Sequence, residues 1–376
     1  MAGCDFGRKP AKFLGMRAER ITARGFRNLA DLDLALPPAG AAILGPNGHG
    51  KTSLLELLAY PVLHRSVRAA SDAEVTRFGA EGFHLRLTFA DAGRDREVTA
   101  GFLVAGRRKR LAVDGVEQPR IGPAIGHWVA VTFLPTDLGL IQGPASGRRR
   151  FLDQLLSLAA PAYLGHLIRY RAGLAQRNAA LRQGRPELAA AFDPVVARHG
   201  AALVAARADW VERARGWFAT ECAGLGEADE VGMTYRGRVE LADPAAWPEL
   251  LRHAGARDQA MRATTVGPHR DDLVLSLGGR PAREFASTGQ QRGAAVALRL
   301  CELVTLAQAR GTEPALLLDD VFAELDEVRQ GRLAARLREG PARQVFVTAP
   351  RRDELPDGLP LEVLRVRDGR VGEGAA

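Results

Sequence analysis

The chain has little cysteine, little lysine and no long apolar run. Its three cysteines, Cys4, Cys222 and Cys301, are far apart in the 376 residues. This spacing excludes a disulfide framework and a cysteine-based zinc site, and it favours a reducing compartment. No uninterrupted apolar stretch approaches the roughly 20 residues that a spanning helix needs, and the first 20 residues have no apolar core of signal-peptide length. We therefore expect a soluble cytoplasmic protein without membrane contact.

Lysine is so scarce that only four of the 52 basic residues are lysines, and the formal net charge is +8. An excess of arginine favours a polyanionic partner such as DNA. Coding bias, with arginines spread over a solvated surface, would produce the same composition. Because 46% of the residues are hydrophobic and 26% are charged, the chain can bury a full core.

Hydrophobic periodicity divides the chain into segments. Residues 16–147 contain short alternating stretches typical of strands, many of them antiparallel, and one helix. Residues 148–263 have apolar residues three and four apart, which is typical of helices. Strands and helices alternate again over 264–376. We predict one α/β unit interrupted by an α-helical insert, with a disordered extension over residues 1–15.

A glycine-rich loop lies between an apolar run and a helical pattern. Its sequence fits the phosphate-binding loop, in which backbone N–H groups and a helix N-terminus surround phosphates. Lys51 is expected to bridge the β- and γ-phosphates, and Thr52 to supply a hydroxyl to Mg²⁺. We predict ATP and Mg²⁺ as cofactors, because no Asn-Lys-x-Asp element for guanine occurs in the sequence. The predicted loop residues are Gly45, Pro46, Asn47, Gly48, His49, Gly50, Lys51 and Thr52.

An apolar strand that ends in two carboxylates supplies the second element of such a site. Leucines 316–318 precede Asp319 and Asp320. Asp319 is expected to act on the magnesium side of the site, through water. Asp320 is the candidate general base that polarises the attacking water. Alternatively, Asp320 caps the segment that follows.

A third element precedes the acidic strand by about 30 residues. Ser287, Thr288, Gly289 and Gln290 stand at the beginning of a long helical pattern. As a helix cap this group would be ordinary. Its position relative to the other two elements resembles the signature motif of ABC-type ATPases, and Ala323–Asp326 resembles their D-loop.

The chain resembles the bacterial RecF family of recombination mediators over residues 16 to 350. The matching stretches include RGFRNLADLDL, HRSVRAASDAEVTRFG, FLPTDLGLIQGPASGRRRFLDQLL, TTVGPHRDDLVL, STGQQRGAAVALRLCEL and LLLDDVFAELDEVR. The Gly-Pro-His-Arg-Asp-Asp and Gly-Gln-Gln-Arg stretches distinguish this family from other ABC-type ATPases.

The resemblance implies an ABC-type ATPase head with an inserted helical subdomain. It also implies that Arg27 and Asn28 contribute to nucleotide binding, and that Ser287, Gly289 and Gln290 bind the nucleotide held by a second head. The implied activity is a weak, DNA-dependent ATPase that forms an ATP-dependent homodimer on duplex DNA and on single-strand/double-strand junctions. Its implied role is in DNA repair, replication and the SOS response, where it assists recombinase loading with the mediator protein RecR.

Three positions depart from the family pattern. His49 stands where such loops usually have a small residue or glutamine. Thr136 replaces an acidic residue before Asp137, and Ala349 replaces a hydroxyl residue after Thr348. None of these changes removes a predicted phosphate or magnesium ligand, although the last two affect details of γ-phosphate sensing.

Two arginine clusters are candidates for phosphate contacts. Arg107, Arg108, Lys109 and Arg110 lie at a predicted hairpin, where they either contact DNA or keep an edge strand soluble. Arginines 148–150 begin a predicted helix, where cations oppose the macrodipole. That cost favours an external use, with DNA or with nucleotide-dependent contacts.

The Gly267–Asp272 stretch contains His269, Asp271 and Asp272. A metal-dependent nuclease centre and a turn that begins a strand are both compatible with it, and the absence of a second acidic cluster in the sequence favours the turn.

Other classes fit less well. A transporter subunit is disfavoured by the family-specific stretches, and the insert is too short for the heptads of a chromosome-organising ATPase. A nuclease-associated ATPase of the overcoming-lysogenization type and an ATP sensor without useful hydrolysis stay as alternatives.

Overall fold

The computed structural model describes residues 15–340 and 344–373. The predicted disordered extension, apart from residue 15, lies outside the described residues. The chain divides into two compact units, one comprising the residues up to 135 and from 302 onward, and the other residues 136–301. The predicted insert over 148–263 thus falls within a larger unit, because the strand at Asp272–Leu277 pairs with a strand of the insert at Val231–Arg236.

The described strands are β1 Arg17–Arg24, β2 Leu32–Ala35, β3 Gly40–Leu44, β4 Gly82–Asp91, β5 Arg94–Leu103, β6 Arg108–Val113, β7 Val116–Glu117, β8 Ala130–Phe133, β9 Val231–Arg236, β10 Asp272–Leu277, β11 Arg280–Pro281, β12 Ala315–Leu318, β13 Val345–Ala349, β14 Glu362–Arg367 and β15 Arg370–Glu373. The described α-helices are α1 Lys51–Leu63, α2 Asp72–Val75, α3 Ile121–Ala124, α4 Gly139–Gln142, α5 Ala145–Ala159, α6 Pro161–Arg182, α7 Pro186–Ala190, α8 Asp193–Gly224, α9 Trp247–Met261, α10 Ala282–Phe285, α11 Thr288–Arg310 and α12 Glu327–Glu339.

A mostly parallel sheet forms the centre of the first unit. Its strand order is β15-β14-β3-β13-β12-β8, and only the β14–β15 pair is antiparallel. Every residue of β3, β12 and β13 is buried, which explains why these strands are continuous apolar runs. The carboxyl ends of these strands therefore meet at one edge, where a ligand site is expected.

The first unit also contains an antiparallel sheet with the order β2-β1-β4-β5-β6-β7. Its longer strands, β1, β4, β5 and β6, place buried residues on one face and more exposed residues on the other, as a sheet with one solvated face requires. Phe83, Phe102 and Tyr60 pack on the buried side. The predicted α/β class with antiparallel N-terminal strands is confirmed.

The second unit is built mainly of helices around α6 and α8, with the small antiparallel sheet β11-β10-β9. Trp210 and Trp247 are fully buried in it. Gly200 is required at its position, because a Cβ there would lie 2.4 Å from the Trp247 ring. Across the described residues, every helix is too short or too polar to cross a membrane.

Candidate nucleotide-binding site

The glycine loop connects β3 to α1, as predicted. Gly50 precedes the helix with φ 113° and Gly48 has φ 81°, a region that side chains rarely adopt. A Cβ on Gly45 would lie 2.1 Å from the carbonyl oxygen of Val366 in β14. No side chain caps the N-terminus of α1, and its first turn contains no acidic residue. This helix end is therefore suited to binding phosphate.

Lys51 lies across the loop and is only 4% exposed. Its Nζ donates to the carbonyl oxygens of Gly45 at 2.7 Å and Pro46 at 3.2 Å, and to Asn47 Oδ1 at 3.2 Å. These acceptors hold the ammonium over the mouth of the loop. A phosphate bound in the loop would add a contact between two opposite charges, which is stronger than a contact of the ammonium with neutral carbonyl oxygens.

Thr52 and Asp319 meet although they are 267 residues apart in sequence. Thr52 Oγ1 donates a hydrogen bond to Asp319 Oδ1 at 2.9 Å, and Thr348 Oγ1 approaches the same oxygen at 2.9 Å. Burial raises the pKa of the Asp319 carboxyl; the hydrogen bonds from Thr52 and Thr348 lower it, and the charge of Asp320 raises it again. A hydroxyl and a carboxylate are donors that Mg²⁺ prefers, with phosphate oxygens and water as further ligands. The residues present fit a magnesium ion at this point.

Asp320 follows with a backbone φ of 48°, in the left-handed region. Its N–H donates to Thr348 Oγ1 at 2.8 Å, and its Oδ1 lies 3.2 Å from the same hydroxyl. Such backbone geometry costs about 1–3 kcal/mol for most residues, and aspartate tolerates it better than most. Thr348 thus contacts both carboxylates through one hydroxyl. The family pattern has a hydroxyl residue at position 349, where this chain has the buried Ala349. The contacts of Thr348 with Asp319 and Asp320 are present without that hydroxyl.

The segment after β1 contacts the glycine loop and the helix that follows it. Asn28 Nδ2 donates to the Gly48 carbonyl oxygen at 2.9 Å, and Asn28 Oδ1 accepts from Ser53 Oγ at 2.7 Å. The structure thus places Asn28 against the loop backbone. Its predicted contact with the nucleotide stays a prediction.

Arg27 forms a two-point ion pair with Glu56, at 2.9 Å and 2.8 Å, and donates to the Glu74 carbonyl oxygen. The Glu56 side chain is fully buried, and Arg68 lies 3.7 Å from its Oε2. The charge of Arg68 also lowers the pKa of Asp319, the carboxylate predicted to act on the magnesium side. Sequence reasoning missed Glu56 and Arg68. The only local signal was a single carboxylate in the apolar helix α1, one turn after Thr52.

His49 has a structural partner that the sequence did not reveal. Its Nδ1 accepts from the Asp368 N–H at 3.1 Å, and its carbonyl oxygen accepts from the Gly369 N–H at 3.0 Å. The turn between β14 and β15 therefore contacts the loop through His49, at the position where other loops have a small residue. This departure from the family pattern has a local explanation.

The signature residues belong to the other compact unit and begin α11. The Ser287 N–H donates to Gln290 Oε1 at 2.9 Å, and the Gln290 N–H donates to Ser287 Oγ at 3.3 Å. This reciprocal pair is a capping box. Ser287 is exposed, and Gly289 and Gln290 are half-buried. Their contact with the nucleotide of a second head stays a prediction that is compatible with this cap.

The external use of Arg148 is wrong. Its guanidinium is buried and forms a two-point ion pair with Asp272, at 2.7 Å and 2.9 Å. Arg149 donates to the Asp271 carbonyl oxygen at 2.7 Å. The buried carboxylate of Asp272 compensates for the unfavourable position of Arg148 at the beginning of α5. The sequence analysis expected an external ligand to provide this compensation.

The turn interpretation of Gly267–Asp272 fits the contacts. Tyr235 donates to the Asp271 carboxylate, and the Tyr170 hydroxyl lies 2.7 Å from His269 Nδ1. His269 Nε2 lies 2.9 Å from the Thr264 carbonyl oxygen, so Nε2 carries the proton and Nδ1 accepts. Burial lowers the pKa of His269 to about 4. Within the described residues, no group of three or more His, Cys, Asp or Glu side chains is arranged to hold a metal.

Thr136 is exposed, whereas Asp137 is buried and paired with Arg299 at 2.6 Å and 2.9 Å. The missing acidic residue at position 136 therefore does not disturb this ion pair.

Of the basic hairpin residues, Lys109 points inward. It pairs with Asp72 at 2.9 Å and lies over the Tyr60 ring. Arg107, Arg108 and Arg110 are exposed. Within the described part of the chain, none of these three side chains forms an ion pair or a hydrogen bond.

Known proteins match the chain over most of its length and of their own. No protein-family model matches the chain. The DNA replication and repair protein RecF of Anaeromyxobacter sp. (strain Fw109-5) is 39% identical over 353 residues, which cover 90% of this chain and 93% of the relative. RecF of Beutenbergia cavernae is 36% identical over 396 residues, covering 95% and 99%.

Solved structures agree with this relationship. The structure of the recombination mediator protein RecF with ATP, in the RecFOR pathway, has a TM-score of 0.88 and 27% identity and covers 98% of this chain and 100% of that one. An Smc head bound to the C-terminal winged-helix domain of ScpA has a TM-score of 0.55 at 15% identity, covers 94% and 96%, and shares only the fold. With relatives this similar over nearly their whole length, the chain belongs to the RecF family.

Proposed function

We propose that the protein is an ATP-dependent DNA-binding ATPase of recombinational repair and replication-fork maintenance. The observation that carries the proposal is the 2.9 Å contact of Thr52 with Asp319, because it joins the phosphate loop to the acidic strand in one site. Family membership supports the same conclusion, since solved relatives were described with ATP.

The residues would divide the chemistry as follows. The loop amides and Lys51 hold the phosphates and neutralise their charge. Thr52 and Asp319 would hold Mg²⁺, which supplies further charge neutralisation on the phosphates when bound. Asp320 accepts a proton from the attacking water, and Thr348 keeps this carboxylate in place. Slow, DNA-stimulated hydrolysis is part of the proposal.

Two copies of the chain would complete the site. The exposed Ser287 hydroxyl and the Gly289 N–H at the beginning of α11 would meet the γ-phosphate held by a partner copy, aided by the helix dipole. The same surface on both copies gives a two-fold interface that closes two sites at once. ADP lacks the γ-phosphate, so hydrolysis would release the dimer.

DNA is the proposed partner, both as duplex and at single-strand/double-strand junctions. The exposed Arg107, Arg108 and Arg110 support this because they are available to backbone phosphates. Through its family, the chain is also proposed to act with RecR in recombinase loading.

The proposal is tested by measuring DNA affinity with ATP, with ADP and without nucleotide across a salt series. We expect tight binding only with ATP, and affinity that falls with salt because counterions are released from the DNA. Equal affinity in all three nucleotide states would contradict the ATP-dependent role.

A further inference from the structure

Phe78 is the most exposed large apolar side chain among the described residues. Its relative exposure is 102%, whereas the next most exposed, Val116 and Val328, reach 63%. Leaving a phenylalanine in water forgoes the stabilisation that burial of its ring would provide. The whole ring is therefore accessible to a partner that would cover it.

A tight turn presents this ring. The Ala80 N–H donates to the Arg77 carbonyl oxygen at 3.0 Å, and Gly79 between them has φ 80°. This is the geometry of a type II turn with Phe78 at its first corner, where the third residue must be glycine. The Arg77 N–H also donates to the Gly25 carbonyl oxygen at 2.8 Å. The turn is thus anchored on both sides, and the ring is held outward.

The turn lies at the end of the antiparallel sheet where four strand ends gather. β1 ends at Arg24, β4 begins at Gly82 opposite Leu103, and Leu103 pairs with Arg108 at the beginning of β6. The Val104 N–H donates to the Glu81 carbonyl oxygen, three residues after Phe78. The aromatic turn and the basic hairpin therefore belong to the same end of one sheet.

This end of the sheet has an excess of positive charge. Arg24, Arg107, Arg108 and Arg110 are exposed, and within the described residues none of them forms an ion pair. Of the nearby carboxylates, Asp31 is paired with Arg77 at 2.6 Å and Glu81 is exposed.

The next row of the sheet has two of these arginines, Arg24 and Arg110, at its two sides. Arg24 lies opposite His84, which lies opposite Gly101, and Gly101 is opposite Arg110. Burial lowers the pKa of His84, and the charges of Arg86 and Arg24 lower it further. A flat basic surface beside an exposed aromatic ring matches a nucleic-acid strand, in which phosphates alternate with stackable bases.

We propose that Phe78 stacks on an unpaired base of DNA whose phosphates are bound by the arginines of this sheet end. The inference rests on the proposed DNA binding and adds the feature that is recognised. Bases inside a continuous duplex are already stacked, so the ring finds a free face only on a single strand or beside a junction. Phe78 would therefore discriminate DNA with unpaired bases from intact duplex.

The test uses the full chain with ATP and two DNAs. One is a duplex with a single-stranded gap that carries 2-aminopurine at the first unpaired position, and the other is a relaxed duplex minicircle of the same sequence. For Phe78→Ala we expect an affinity for the gapped DNA that is lower by about fivefold or more, loss of the stacking-induced fluorescence quenching, and unchanged affinity for the minicircle. The slope of affinity against salt should not change, because no phosphate contact is removed.

Three controls define the result. Phe78→Trp should retain the quenching, whereas Phe78→Leu should lose it although the side chain stays apolar. Arg110→Ala should weaken binding to both DNAs and reduce the salt slope by about one. If wild-type protein binds neither DNA, the proposed function itself fails.

Other outcomes would overturn the stacking proposal alone. If wild-type protein binds and Phe78→Ala matches it in affinity and quenching, or loses affinity equally for the minicircle, Phe78 does not stack on an unpaired base. A Phe78→Ala variant that binds both DNAs normally but loses a protein partner would assign the ring to that partner instead.

Discussion

At the scale of single residues, the candidate nucleotide site depends on a few polar contacts between distant parts of the chain. Thr348 is the clearest case, because one hydroxyl contacts Asp319 and Asp320 and accepts from the backbone of Asp320. Lys51 is equally constrained, since its ammonium is buried and satisfied by loop oxygens. Each of these contacts assigns a separate, testable task to one side chain.

Lys51→Ala should lose ATP binding and stay folded. The variant removes a charge-assisted contact with the phosphates, which typically contributes about 1.5–3 kcal/mol, or roughly 10- to 150-fold in affinity. Titration with a fluorescent ATP analogue measures the affinity, and circular dichroism checks the fold. Unchanged ATP affinity in a folded variant would show that this loop does not hold the phosphates.

Asp320→Asn should bind ATP and hydrolyse it slowly. Removal of a general base costs about 10²- to 10⁴-fold in rate, so the variant should accumulate in the ATP-bound, DNA-competent form. Single-turnover kinetics separate hydrolysis from product release. If the single-turnover rate equals that of the wild type, Asp320 has only a structural role. A wild type without measurable turnover would favour the ATP-sensor alternative.

At the scale of elements, local sequence was sufficient to locate the loop, the acidic strand and the long helices. Each has a continuous signal, such as a glycine pattern between β3 and α1 or three leucines in β12. Partners far apart in sequence could not be found in this way. Arg148 was assigned an external role because its partner Asp272 is 124 residues away. Glu56, Thr348 and Asp368 were missed for the same reason.

The turn before β10 should make the fold sensitive to acid. His269 is held neutral between Tyr170 and Thr264, and burial lowers its pKa to about 4, against about 6.5 in an unfolded chain. Between these values the unfolded state binds more protons, so stability is lost as the pH falls from about 6.5 to about 4.

Urea unfolding of wild type and His269→Asn across this pH range measures the effect. We expect a shallower pH dependence in the variant, which has no titrating ring at this position. Identical pH dependence in the two proteins would show that His269 does not contribute. His64 is also buried with a pKa near 4, so His64→Asn provides a matched comparison at a second site.

At the scale of the whole molecule, the two compact units carry different elements of one proposed site. The phosphate loop and the acidic strand belong to the unit formed by the two ends of the chain, whereas the signature residues belong to the unit of residues 136–301. An isologous dimer would bring the signature of each copy to the loop of the other.

The assembly prediction is a monomer that dimerises with ATP and separates with ADP. Ser287→Arg should bind ATP yet stay monomeric, because a bulky cation would occupy the interface. Ser287→Thr retains the hydroxyl that caps α11 and should dimerise, which separates interface effects from loss of the cap. Sedimentation in each nucleotide state measures the mass. The same mass with ATP, ADP and no nucleotide would exclude this mechanism.

The central position of β3 has a consequence for how the protein is made. β3 carries the phosphate loop and lies between β13 and β14, which leave the ribosome about 300 residues later. Until then, the apolar strand β3 has neither of its neighbouring strands to pair with. Such long-range pairing slows folding and leaves unpaired strand edges exposed to aggregation. We therefore expect ATP to bind only after synthesis is nearly complete, and a chain halted before β13 to be recognised by chaperones or proteases.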